Sequence, residues 1–230
     1  MNPTAADLAA KRNPFAGESA EYAQVRQALL AEEIELQRHI DRTSALRQTL
    51  PDGPPIEPEY RFRDMHGDNV GLSDLFGAHD TLVTYFWMYG PERERPCPMC
   101  TNLLGPLAAN ARDLLQQVAL VVIGRSPVQR QVAFAQERGW QALNFVQTGD
   151  DYPRDFGGLD ADGSEWPVLA VFRRVDGKVR LFWKGEMTGE MADPGKDPRG
   201  GPDFAPLWTV LDLTPGGRPD GWYPKLDYPA

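Results

Sequence analysis

Chemically versatile side chains are scarce in this chain. Its 230 residues include two cysteines and three histidines. The cysteines, Cys97 and Cys100, stand one helical turn apart. A secreted protein stapled by disulfides would carry more of them, closing longer loops, and a bridge over so short a span removes little chain entropy. His39, His66 and His79 are scattered, and none has the spacing to complete a zinc site begun by C-x-x-C. No metal or cofactor is therefore expected. Positive charge is also in deficit: Lys and Arg number 24 against 33 Asp and Glu, a formal net charge of -9. That balance excludes the basic footprint of a nucleic-acid binder and attraction to an anionic membrane surface. No run approaches the roughly 20 apolar residues of a membrane span. The opening MNPTAADLAAKRNPFAGESAEYA lacks the apolar core of a signal peptide. A cytoplasmic protein is the expectation, and the chain shows no internal repeat.

What is present falls into three stretches: residues 1–55, 56–185 and 186–230. Residues 1–18 lack a clear period and read as loosely ordered. From Glu21 to Leu50 the pattern is helical, with Val25, Leu29, Leu36 and Ile40 recurring near helical spacing among good helix formers. Pro51-Asp52-Gly53-Pro54-Pro55 ends it. The apolar stripe of such an arm must be buried, either on its own domain or on a second copy, which would make the protein a homodimer through this helix.

The central stretch alternates strands and helices. Tyr60–Arg63 reads as a half-exposed strand, His66–Asn69 as a turn, and Ser73 as the cap of a short segment through Phe76. Thr81–Met88 is nearly unbroken in apolar, β-branched and aromatic residues, as a strand buried on both faces would be. A helix is expected after Cys97, a strand over Val118–Gly124, a helix starting with Pro127, and a short strand over Leu143–Val146. Val168–Arg173 and Lys178–Trp183 are joined through Asp176-Gly177, a hairpin signal. A helix-length crossover makes the first two long strands parallel, and the hairpin is antiparallel. The fold class is therefore α/β, a mixed sheet flanked by helices, with a long N-terminal helical arm and an irregular C-terminal extension. In that extension Leu207–Leu211 reads as a brief ordered element. The aromatics of GWYPKLDYP are expected to dock on the domain.

Cys97-Pro98-Met99-Cys100 carries the chemistry. A thiol reacts as its thiolate, and an ordinary cysteine is mostly protonated at neutral pH. Cys97 just before a helix meets unsatisfied backbone N–H groups and the positive end of the helix dipole, while Pro98 suits the first helical position. Arg93 and Arg95 add positive charge upstream, and Glu92 and Glu94 oppose it. Cys97 is thus the expected nucleophile and Cys100 the resolving thiol. A buried structural pair and half a zinc site are the other readings of the motif. Trp166-Pro167 heads a strand, where proline is ordinary punctuation. Its position before the hairpin also suits a cis-proline that offers a backbone edge to a substrate chain. Asp151, Tyr152, Asp155 and Phe156 read either as the lining of a pocket near the cysteines or as an acidic surface loop.

The strand ending in Phe86-Trp87, the C-P-x-C helix opening, the second βα unit and the proline before the hairpin together resemble the thioredoxin superfamily. The helical arm ending in L-P, FWMYGP, GDDYPRDFG and LDLTPGGRPDGWYPKLDY resemble more narrowly a bacterial thioredoxin-like family, domain-of-unknown-function family 899, from about Glu21 to the C-terminus. The resemblance implies a thioredoxin-like fold, Cys97 and Cys100 as the redox pair, Pro167 as the cis-proline, and Trp166 with Pro167 as substrate contacts. The loop before Cys97 is longer and more charged than in an ordinary thioredoxin. Glu94 stands where a peroxiredoxin would have Thr or Ser. The expected function is thiol–disulfide exchange with a disulfide-bearing protein or small thiol, recycled by an unidentified reductant. A thiol peroxidase and a non-enzymatic binding or oligomeric module are the alternatives.

Overall fold

A computed structural model describes residues 3–57, 59–186, 193–194, 206, 213 and 221–228. The reading of Leu207–Leu211 as an ordered element lies outside the described residues. The chain divides into two compact units, Met1–Pro51 and Asp52–Ala230.

The first unit is a helical hairpin. Helix α1 (Ala5–Ala9) was not legible as a period, because it is a single turn and a half held by its cap. The Thr4 hydroxyl accepts from Asp7 N–H while the Asp7 carboxylate accepts from Thr4, a reciprocal capping box. Helix α2 (Ala20–Arg47) begins at Ser19, whose side chain accepts from Tyr22 N–H. Val25, Leu29, Leu36 and Ile40, the apolar stripe of the sequence, are all exposed.

The second unit is built on one seven-stranded sheet. Its strands are β1 (Arg61–Arg63), β2 (Asn69–Gly71), β3 (Thr81–Phe86), β4 (Ala119–Gly124), β5 (Asn144–Thr148), β6 (Val168–Val175) and β7 (Lys178–Lys184). Helix α3 (Pro98–Leu114) connects β3 to β4, α4 (Val128–Glu137) connects β4 to β5, and α5 (Asp151–Asp155) follows β5. The spatial order is β2-β1-β5-β4-β3-β6-β7. β3, β4 and β5 are parallel, while β6 runs antiparallel to β3 and β7 to β6. A βαβ unit flanked by an antiparallel hairpin on the β3 side is the thioredoxin-like arrangement, and β3 lies between β4 and β6.

The burial of β3 and β4 on both faces explains their unbroken apolar sequences. Alternation sends Leu82 and Phe86 into a core with Phe62, Ile123, Val146 and Phe172, and sends Tyr85 and Trp87 into a second core beneath α3 and α4. Leu104 of α3 is fully buried in that second core, a burial worth about 2–3 kcal/mol. In the β6–β7 turn, Asp176 and Gly177 take φ of 51° and 72°, the left-handed pair that a two-residue hairpin requires.

Two expected helix starts are corrected. Pro127 caps α4 rather than opening it. Ser73 makes no capping hydrogen bond; the Asp74 carboxylate instead accepts from Gly71 N–H. At the tail, Leu226 packs against the second core and its carbonyl accepts from Arg138, whereas Tyr223 and Tyr228 stay exposed. No helix among the described residues is long and apolar enough to cross a membrane.

Candidate functional site

The site forms where β3 ends and α3 begins. Trp87 N–H still donates to Ile123 of β4, after which the chain leaves the sheet for residues 88–96. It returns at Cys97, whose N–H donates to the Met88 carbonyl at 3.1 Å. Cys97 occupies the N-cap of α3 with extended backbone, and Pro98 takes the first turn, where a missing N–H costs nothing. Thr101 closes that turn, its N–H and hydroxyl both donating to the Cys97 carbonyl. One helical turn therefore separates the two cysteines, with Cys97 partly exposed and Cys100 buried.

Their surroundings drive the two thiols apart in acidity. Cys97 is lowered to about 6, first by the hydrogen bond from Cys100, then by the backbone N–H groups of Cys100 and Met99 and the charge of Arg93; partial burial works against this. The helix terminus thus contributes as expected from sequence, but its neighbour thiol contributes more. Cys100 is pushed well up by burial and by Cys97, against hydrogen bonds from Tyr85 and from the Met88 backbone. Alkylation of reduced protein by iodoacetamide should accordingly titrate at Cys97 near pH 6, well below the pKa of about 8.5 of an ordinary cysteine. A midpoint at or above 8.5 would contradict the geometry.

The approach loop is pinned from three sides. Ser126 after β4 holds it through Tyr89 and Gly90: its N–H donates to the Tyr89 carbonyl and its hydroxyl to the Gly90 carbonyl. Arg130 of α4 donates to the carbonyls of Pro91, Arg93 and Glu94 and lies over the Tyr89 ring. The Glu165 carboxylate, only 5% exposed, accepts from Gly90 N–H at 3.0 Å and pairs with Arg93 at 3.3 Å and Arg125 at 3.2 Å. Arg125 also pairs with Asp150 at 2.8 Å. Arg95 turns instead towards Asp227 and the Phe134 ring. Sequence reading named Arg93 but missed Glu165, Arg125, Ser126 and Arg130. Only the crowding of charge in Gly90–Pro96 hinted that partners were needed.

Trp166 and Pro167 lie at the same end of the sheet, since Val168 pairs with Phe86. The cis expectation for Pro167 is overturned: no described peptide bond is cis. The segment is already extended before the proline, with Glu165 bridged to Leu159 and Trp166 N–H donating to Gly158. A trans bond carries that direction straight into β6. Trp166 is half exposed, with its indole N–H on Asp160. The pocket reading of residues 151–156 is also corrected. Tyr152 and Phe156 are buried in the core on the other face from Cys100, where the Tyr152 hydroxyl meets Thr84 at 3.0 Å and Asp155 accepts from Tyr60. Among the described residues no group of three or more His, Cys, Asp or Glu is placed to hold a metal ion.

The family model described as "Bacterial protein of unknown function (DUF899)" matches residues 11–228. No curated protein matches the chain. Among solved structures, the chain is similar to peroxidoxin BcpB of Mycobacterium tuberculosis, at 22% identity and TM-score 0.42, over 56% of this chain and 82% of that one. It is similar to a PrxQ variant of Xylella fastidiosa at 12% identity and TM-score 0.44, over 59% and 84%. A thiol:disulfide interchange protein from Bacteroides sp. matches at 17% identity and TM-score 0.42, over 61% and 84%.

Proposed function

The chain belongs to the bacterial DUF899 family, and we propose that it acts there as a thiol–disulfide oxidoreductase, with Cys97 as nucleophile and Cys100 as resolving thiol. The observation that carries this reading is the placement of the pair: a partly exposed Cys97 at the N-cap of α3 stands one helical turn before a buried Cys100, and their surroundings lower the pKa of the first and raise that of the second. A structural pair would have no use for that difference.

In turnover the Cys97 thiolate attacks one sulfur of a substrate disulfide, forming a mixed disulfide and expelling the other sulfur as thiolate. Cys100 then gives up its proton and attacks the Cys97 sulfur. The Cys97–Cys100 disulfide forms and the second substrate sulfur leaves. The substrate gains two electrons and the protein loses them, and an external dithiol or small thiol restores the reduced pair. The substrate is a disulfide-bearing protein or small molecule, met at the end of the sheet where Trp166 and Pro167 lie.

Equilibration of the protein in thiol–disulfide buffers tests this. One disulfide between Cys97 and Cys100 should form and break reversibly, with a midpoint between roughly -300 and -120 mV, the span of dithiol catalysts. Cysteines that remain thiols throughout would end the proposal.

A further inference from the structure

Arg130 is not part of the core. It stands on α4 outside the buried set of Val128, Gln131, Phe134 and Ala135. Its base is nevertheless rigid, because the Gln131 side-chain amide donates to the carbonyls of Gly124, Ser126 and Val146 and so ties the start of α4 to β4 and β5. From that base the guanidinium crosses to the approach loop. One terminal nitrogen donates to the Pro91 carbonyl at 3.4 Å, the other to those of Arg93 at 2.6 Å and Glu94 at 3.0 Å. The central carbon of the same group lies 5.0 Å from the centre of the Tyr89 ring. Residues 88–96 form no helix or strand, so bonds of this kind are what give the loop a fixed shape.

We infer that Arg130 is a positioning residue for the nucleophile, fixing through its three carbonyl bonds the loop from which Cys97 is presented. The inference rests on the exchange reading above. The carbonyl that Arg130 holds most closely belongs to Arg93, whose side chain pairs with Glu165 at 3.3 Å. Arg93 is thus held at both its main chain and its side chain, and its charge favours the Cys97 thiolate. A second effect has the same sign. A carbonyl oxygen carries partial negative charge and repels a thiolate that it faces. The oxygens of Pro91, Arg93 and Glu94 are committed to Arg130, and those of Tyr89 and Gly90 to Ser126. Cys97 N–H closes the loop on the Met88 carbonyl at 3.1 Å, so movement within the loop reaches the nucleophile. Arg130 therefore acts through residues 91–94, taking no proton and no electron.

The pH profile of Cys97 alkylation by iodoacetamide tests this on the full chain. In Arg130→Ala the rate at about pH 6 should fall about 3- to 10-fold, the net worth of a hydrogen bond. At about pH 9, where the thiolate predominates in both proteins, it should match the wild type. A contact that serves only the fold would slow alkylation by one factor at every pH, or not at all. Arg130→Lys keeps the charge but loses the planar fork that meets three carbonyls. It should give an intermediate slowing with the same dependence on pH, and serves as the test should the alanine variant fold poorly. A wild-type profile in both variants, or an equal slowing across the range, would overturn the role of Arg130. The exchange reading fails separately. A wild type that forms no disulfide in any thiol–disulfide buffer ends that reading and Arg130's part in it, whereas a wild type that cycles beside variants with unchanged profiles overturns Arg130 alone.

Discussion

Cys97→Ser should reduce disulfide exchange to the uncatalysed background, whereas Cys100→Ser should leave the protein covalently attached to its substrate. The two outcomes differ because the sulfurs differ in place. With a pKa of about 6, Cys97 is roughly 90% thiolate at pH 7, against a few per cent for an ordinary cysteine. That gain of about 30-fold in reactive species is lost completely with the sulfur, since a serine hydroxyl in the same place stays protonated. Cys100 is buried and cannot substitute as the attacking group. In Cys100→Ser, Cys97 loses the thiol that contributes most to its acidity but keeps the backbone N–H groups and Arg93. It should therefore still attack, more slowly, and then have nothing to displace the adduct. Intact-protein mass spectrometry after exposure to a disulfide substrate reads both results. An adduct on Cys97→Ser, or none on Cys100→Ser, would reverse the assigned roles.

Glu165→Ala should be the most destabilising of the substitutions near the site. Its carboxylate gathers Gly90 N–H, Arg93 and Arg125 in a place almost closed to water. Truncation leaves the Gly90 amide without this acceptor and removes one of the two anionic partners of Arg125, while Asp150 remains. An orphaned buried donor costs about 1–3 kcal/mol, and breaking a buried ion pair about 3–5 kcal/mol. Because Arg93 is 40% exposed and Arg125 keeps Asp150, the lower part of that range applies, about 2–3 kcal/mol. For a chain of this size that lowers Tm by roughly 4–12 °C. Thermal unfolding of the reduced protein measures it, and an unchanged Tm would show that the cluster is not holding the approach loop.

What could be read from sequence was what is local. β3 and β4 announced themselves because burial on both faces demands unbroken apolar runs, and the β6–β7 hairpin because two left-handed residues demand Asp-Gly. The C-P-M-C motif carries its own geometry within one helical turn. The misses follow from the converse. α1 and α5 are five residues each, too short for a period. Tyr152 and Phe156 looked like loop residues because nothing near them in sequence shows which core they enter. Glu165 meets Gly90 across 75 residues of chain. Trp166-Pro167 was assigned the wrong isomer because position in the fold said nothing about the extended segment leading into it.

The segment that follows α2 has a further consequence. Gly53 N–H donates to Leu181 and Ile56 N–H to Val179, so the Pro-rich stretch lies along the outer side of β7, with Pro55 bridged to Arg180. A bare edge strand is a template on which another molecule's strand can add. Pro54 and Pro55 have no amide hydrogen to offer outward, so the row of donors stops with them. The stretch thus acts as a chain terminator for the sheet. A shortened protein that starts beyond Ile56 would retain both cysteines and their helix, but it would also present seven residues of unprotected β7 to its neighbours in solution.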